Sequence, residues 1–228
     1  MTQSVRWSRF PDAQAVAAGA VQRILRIADA SIAARGVFRM VLAGGSTPEK
    51  AYRLLACANA DWSNWHLYPG DERCLPVGHP ERNSSIIRHA WLEQVGIPDA
   101  QVHWIPAEEG PERGAMRYEE VVREAVPFDL VLLGMGEDGH TASLFPGHET
   151  APERLVVGVT DAPKPPPERV SLSYTALARS RNMLVLVTGE GKRAAVARWR
   201  AGEPLPVTRL DCTAGIDVLL DEAAWNKK

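Results

Sequence analysis

Leu130 to Pro146 reads LVLLGMGEDGHTASLFP, an apolar run that stops at glycines carrying an acid, a histidine and a threonine. A strand with no polar face belongs inside a sheet covered on both sides, and parallel sheets are the ones built that way. Such sheets hold their ligands beyond the carboxyl ends of the strands. The segment therefore predicts an α/β fold with its chemistry in the loop after this strand.

The rest of the chain alternates in the same sense. Apolar residues at Val16, Ala20, Ile24, Ile27 and Ile32 give Ala13 to Arg35 a helical period, and Gly36 is placed to end it. Strands are expected at Val37 to Ala43, Trp65 to Tyr68, Val102 to Ile105, Asp129 to Leu133, Leu155 to Thr160, Val170 to Ser173, Met183 to Val187 and Ile216 to Leu220. Helices are expected at Pro48 to Ala56, Ser84 to Val95, Gly114 to Ala125 and Lys192 to Trp199. Strands separated by helices imply parallel crossovers, hence a doubly wound, mostly parallel, Rossmann-like sheet with helices on both faces. No repeat and no long polar linker divides residues 1–228, so one domain is expected.

Composition narrows the function classes. With 45% apolar and 24% charged residues the chain is an ordinary globular one, and a formal charge of -2 gives no reason to expect nucleic acid. Cys57, Cys74 and Cys212 are odd in number and in no CxxC spacing, which fits reduced cytoplasmic thiols rather than disulfides or zinc. MTQSVRWSRFPDAQ lacks the apolar core of a signal peptide, and Arg23, Arg26 and Asp29 interrupt the Ala-rich stretch after it, so no membrane segment is expected.

Four places carry a chemical reading. Gly44-Gly45-Ser46-Thr47-Pro48-Glu49 follows a predicted strand and opens a predicted helix, where free N–H groups and the helix dipole favour an anion. Ser46 and Glu49 have capping-box spacing, so a well-capped turn is the plainer reading; GxxxxGK[ST] is absent, which excludes a nucleotide P-loop. Asp71-Glu72-Arg73 also follows a strand and suits sugar hydroxyls or developing negative charge, although charged loops are commonly just solvated. Asn83 reads more readily as a helix N-cap than as a ligand contact. Lys192, after Gly189-Glu190-Gly191, stands where a cation opposes the helix dipole and is reasonable as a phosphate ligand. Arg169 is a weaker candidate of the same kind, and Lys164 is read as keeping a proline-rich loop soluble.

The fourth place is the opening segment, where Gly134, Gly136 and Gly139 fit GxGxxG and Asp161 lies at about the distance of a ribose-binding acid. A dinucleotide needs an uninterrupted helix directly after those glycines, and Pro146, Gly147 and Pro152 stand in its way. That leaves Asp138, His140 and Thr141. An imidazole with an ordinary pKa of about 6.5 suits a general base at neutral pH. His66, His79, His89, His103 and His148 lack such a setting.

Together, AGGSTP at Ala43 to Pro48, DER at Asp71 to Arg73, GMGEDGHTASLFPG at Gly134 to Gly147, KPPPERVSLS at Lys164 to Ser173 and GEGK at Gly189 to Lys192 resemble the 6-phosphogluconolactonase family, in the same order over nearly the whole chain. The related glucosamine-6-phosphate deaminases share a DGH element, but their loop continues toward Phe-Asn-Glu rather than Thr-Ala-Ser-Leu-Phe-Pro. The resemblance implies hydrolysis of 6-phospho-D-glucono-1,5-lactone, the second step of the oxidative pentose phosphate pathway, by a cytoplasmic enzyme without cofactor or metal. It also implies site residues: His140 as base, Arg73 for the oxyanion, Asp71 and Asp138 to orient sugar or imidazole, and Gly44, Gly45, Ser46, Thr47, Arg169 and Lys192 around the phosphate. A monomer is favoured. The rivals are a deaminase-isomerase of glucosamine 6-phosphate and a non-catalytic sugar-phosphate sensor; the latter usually carries a helix-turn-helix, for which this chain has no room.

Overall fold

The computed structural model describes residues 3–225. Its strands are β1 (Val5–Phe10), β2 (Phe38–Leu42), β3 (Trp65–Pro69), β4 (Asp71–Arg73), β5 (Leu130–Gly134), β6 (Val156–Val159), β7 (Arg169–Leu172), β8 (Met183–Val187) and β9 (Ile216–Asp221). Its α-helices are α1 (Ala13–Arg35), α2 (Ser46–Leu55), α3 (Asn83–Ala90), α4 (Pro111–Ala125), α5 (Tyr174–Ala178) and α6 (Arg193–Arg200). Six strands form one all-parallel sheet in the order β1-β9-β8-β5-β2-β3. The expected α/β fold is what the chain adopts.

Period-two alternation along these strands sorts side chains to two cores. Phe38, Met40, Leu42, Leu130, Leu132, Leu184 and Leu186 pack with Val16, Ile24, Tyr52 and Ile87 from α1, α2 and α3. Val41, Val131, Leu133, Met183, Val185 and Val187 face the other way, onto Tyr118, Val122, Leu177 and Val196 from α4, α5 and α6. Burying both faces is why these strands read as unbroken apolar runs.

The order of the strands places the site. From β2 the chain steps outward to β3 at the edge, whereas β5, β8 and β9 run the other way, so the winding reverses between β2 and β5. A crevice opens at such a switch point, beyond the carboxyl ends of the two strands. The loops leaving β2 and β5 are Gly44–Gly45 and Met135–Phe145, two of the segments singled out above.

Several details depart from the sequence reading, among them α5, which has no counterpart in it, and α3, which ends at Ala90 rather than Val95. β1, unassigned from sequence, is a parallel edge strand on β9; its exposed Arg6 and Arg9 hide the pattern of a short strand. Val102 to Ile105 forms no ladder, only an isolated bridge from Val102 to Leu67. The Asp71 to Arg73 loop is itself strand β4, in a separate antiparallel sheet of order β4-β7-β6. The capping box does not form, because the N-cap of α2 is Gly45 at φ 101°, which has no side chain to accept a hydrogen bond. In contrast α1 begins and ends where expected, with Asp12 accepting from the Ala15 N–H and Gly36 closing it at φ 72°.

Candidate active site

A cavity of about 370 Å³ fills the crevice at the switch point. Its wall includes Gly44, Gly45, Ser46, Thr47, Asp71, Arg73, His140, Arg169 and Lys192, so nine of the ten residues proposed from sequence line one space. The tenth, Asp138, stands directly behind His140.

The turn after β2 forms one end. Tyr52 of α2 accepts from the Ala43 N–H and donates to the Ala43 carbonyl, at 2.9 and 2.8 Å, which pins the strand end to the helix. Gly44 must be glycine for contact reasons: a Cβ there would fall 2.1 Å from Asn83 Oδ1. Ser46 and Thr47 start α2, so the turn presents unpaired N–H groups at a helix N-terminus. Thr47 Oγ1 lies 2.6 Å from Thr188 Oγ1, tying this turn to the one after β8. That second turn carries Lys192, which closes a short 3-10 turn and stands at the N-cap of α6. Asp221 accepts from the Gly189 N–H through both oxygens at 3.0 Å and anchors the turn. Burial holds the Lys192 ammonium below its ordinary pKa, against an opposing pull from Glu137.

The loop after β5 forms the other end. His140 Nδ1 lies 2.5 Å from Asp138 Oδ1, and the same oxygen accepts from the His140 N–H at 3.2 Å. A proton on Nδ1, donated to Asp138, leaves Nε2 as the acceptor. Burial pushes the imidazole pKa below the usual value, outweighing the opposing effect of Asp138. For Asp138, burial acts upward, but the hydrogen bond and charge of His140 prevail and lower it. The resting pair is thus a carboxylate and a neutral imidazole, the state a general base requires. Gly136 lies flat beneath the ring: a Cβ there would be 2.0 Å from His140 Nδ1 and 2.6 Å from Asp138 Oδ1. Thr141, by contrast, is buried and donates to the Gly134 carbonyl, which makes it a brace for the loop.

The small sheet supplies the third wall. Asp71 is buried, and accepts from Ser143 Oγ at 2.7 Å and Asn83 Nδ2 at 3.1 Å. Burial raises its pKa, partly offset by the Ser143 hydrogen bond and by Arg169. Arg73 pairs in register with Arg169 across β4 and β7, and its Nη1 donates to the Glu81 carbonyl. Its Nε is buried with no hydrogen-bond partner among the described residues. Arg169 spends Nε and Nη2 on the carbonyls of Pro166, Lys164 and Pro165, at 3.0 to 3.2 Å.

Asn83, Ser143 and Thr188 were not expected here. Asn83 is the first residue of α3 rather than its cap, which is Arg82, and its amide braces Asp71 instead. The hydroxyls sit at the ends of loops and strands, where sequence offers no sign of the partner they reach. The dinucleotide rival has no support in the geometry: no helix stands between β5 and β6, and Asp161 is an exposed residue outside the cavity wall. Among the described residues no group of three or more His, Cys, Asp or Glu side chains is placed to hold a metal ion. No helix among them is long and apolar enough to cross a membrane.

A doubly wound sheet with a helix N-terminal turn at its switch point and a histidine–aspartate pair in the same cavity is the architecture of an enzyme acting on a small anionic substrate. The chain belongs to the glucosamine-6-phosphate isomerase/6-phosphogluconolactonase family, whose model matches residues 11–219. Over 237 aligned residues it is 38% identical to the 6-phosphogluconolactonase of Mycobacterium leprae, with 96% of each chain covered. It is 42% identical to that of Mycobacterium tuberculosis over 215 residues, 87% of each. The crystal structure of 6-phosphogluconolactonase from Thermotoga maritima superposes with a TM-score of 0.88 at 27% identity, over 96% of this chain and 100% of that one. A monomeric glucosamine-6-phosphate deaminase shares the fold, with a TM-score of 0.81 at 22% identity over 96% of this chain and 98% of that one.

Proposed function

We propose that this chain hydrolyses 6-phospho-D-glucono-1,5-lactone to 6-phosphogluconate, the second step of the oxidative pentose phosphate pathway. The observation that carries the mechanism is the Asp138–His140 pair, 2.5 Å apart and opposite the helix N-terminal turn across one cavity. The phosphate lies against the backbone at Gly44 and Gly45 with the Ser46 and Thr47 hydroxyls, while Arg169 and Lys192 neutralise its charge. This remote dianion fixes the ring for reaction, so binding energy is converted into orientation at C1.

His140 Nε2 takes a proton from water as the water oxygen bonds to C1. The C1 carbonyl electrons move onto oxygen, and Arg73 stabilises that oxyanion. When the carbonyl re-forms, the bond from C1 to the ring oxygen breaks, and the imidazolium returns its proton to the departing alkoxide. Asp138 keeps the proton on Nδ1 and balances the imidazolium while it exists. Asp71, held by Ser143 and Asn83, accepts from the sugar hydroxyls. No step requires a redox cofactor or a metal. The enzyme acts as a single-domain monomer, and the unpaired Cys57, Cys74 and Cys212 fit a reducing cytoplasm.

The test generates the lactone in situ and follows its decay with the protein, with His140→Ala and with no protein. Strong acceleration by the intact chain alone is expected; a decay equal to the spontaneous rate rejects the reading. Ammonia release from glucosamine 6-phosphate would decide for the deaminase instead.

A further inference from the structure

Lys164 enters the cavity wall together with Lys192, although its position in a proline-rich loop suggested only a solubilising role. Its backbone is fixed from below. The Arg169 guanidinium, itself buried, donates to three successive carbonyls at Lys164, Pro165 and Pro166, and so sets where the Lys164 side chain leaves the chain. The Lys164 ammonium is near enough to both His140 and Lys192 for its charge to disfavour a proton on either. Neither lysine has an ion-pair partner among the described residues, and the neighbouring Glu190 pairs with Arg193 instead, at 2.9 Å.

Two ammonium groups facing one cavity repel each other; Glu137 and Asp138 pull on Lys192 without forming an ion pair with it, and the repulsion is relieved when an anion enters. A phosphate dianion carries the charge to satisfy both. We propose that Lys164 is a substrate-binding residue, a second lysine of the phosphate subsite, positioned by Arg169. This rests on the sugar-phosphate reading above and adds a residue to it. Lys192 meets the phosphate from the helix N-terminal side, and Lys164 closes over it from the loop between β6 and β7. Arg169 then serves the subsite twice, through its own charge and by holding the loop that carries Lys164.

The consequence is specificity for a phosphorylated ring over the same ring without phosphate. The experiment compares kcat/KM for 6-phosphogluconolactone and for unphosphorylated gluconolactone, in the wild type, Lys164→Ala and Lys164→Arg. The ratio of the two is expected to fall about fivefold in Lys164→Ala, the size suited to a solvent-reached ion pair, and to recover in Lys164→Arg. A ratio unchanged by Lys164→Ala overturns the proposal. Calorimetric binding of 6-phosphogluconate against gluconate gives the same comparison without turnover. The preference for the phosphorylated compound should shrink in Lys164→Ala, and an undiminished preference again overturns it. Failure of the wild type to accelerate lactone decay would reject the broader reading, whereas normal wild-type activity with unmoved ratios would reject Lys164 alone. Lys164 is exposed, so the variant is expected to fold.

Discussion

The two ends of the cavity are built on different principles. At the end proposed for the phosphate, several groups are free to meet a ligand: backbone N–H groups at the start of α2, an exposed Ser46, and two lysines in no ion pair among the described residues, beside Thr47 and Arg169, which are tied to Thr188 and to loop carbonyls. At the chemical end they are already bonded to one another, His140 to Asp138 and Asp71 to Ser143 and Asn83. The difference follows from when each charge exists. A phosphate dianion is fully charged before, during and after reaction, so flexible cations serve it and uniform binding is what they supply. Charge at C1 and on the imidazole appears only on the way to the transition state, and only groups held in place beforehand gain from it.

Breaking the chemical end should therefore cost turnover. His140→Ala is expected to lower kcat by at least about a hundredfold with the fold intact. Steady-state rates together with circular dichroism check it, and near-normal kcat would remove His140 from the mechanism. Gly136→Ala tests the same end without touching a reacting group. Its methyl would collide with His140 Nδ1 and Asp138 Oδ1 rather than with solvent, so the ring must move. A shift of about an ångström at a reacting group costs about a hundredfold, and the loss should fall on kcat with KM little changed. Equal loss in both constants would mean that the whole loop had collapsed.

The pH profile adds the sign. Burial holds the folded His140 pKa below its ordinary value of about 6.5, and in the proposed mechanism the neutral ring is the active form. Activity should thus be flat through neutrality and fall only as pH drops through that depressed pKa. Asp138 pulls the pKa upward, so Asp138→Asn should move the acid limb of kcat/KM to still lower pH while lowering kcat. A limb that moves upward would contradict the pairing.

The comparison also explains what the sequence could disclose. The phosphate end is made of consecutive residues at strand-to-helix turns, such as Gly44 to Thr47 and Gly189 to Lys192, so its parts were legible as motifs. His140 and Asp138 were legible for the same reason, being two residues apart. What stayed hidden was contact between distant segments: Asn83 with Asp71, Ser143 with Asp71, Thr47 with Thr188. In sequence Asn83 reads as a cap, because a local role is visible there and a bond to a neighbouring strand is not. In the fold, α1 carried its own cap and stop signals, whereas β1 and β4 depend on partners that lie far along the chain, in β9 and β7.

Breaking the phosphate end should cost affinity instead. Lys192→Ala is expected to raise KM about tenfold or more with kcat nearly preserved, since its charge meets the same dianion in ground and transition states. A pure kcat effect would move Lys192 to the chemical end.

The smallest expected effect is the most discriminating about how the two turns cooperate. Thr47 Oγ1 and Thr188 Oγ1 lie 2.6 Å apart and join the turn after β2 to the turn after β8, so one hydroxyl must donate to the other. The acceptor's own proton is then directed elsewhere, and in the proposed binding mode it points to a phosphate oxygen. Replacing either threonine by valine keeps the shape and removes one hydroxyl, at a cost of about 1 kcal/mol or roughly fivefold in KM. If the two hydroxyls form one relay to the phosphate, Thr47→Val and Thr188→Val should each raise KM by that amount, and the double variant little further. If they serve the phosphate independently, the two effects should multiply. Additive free energies would leave the Thr47–Thr188 bond as a brace between the two turns, with no shared role toward the phosphate.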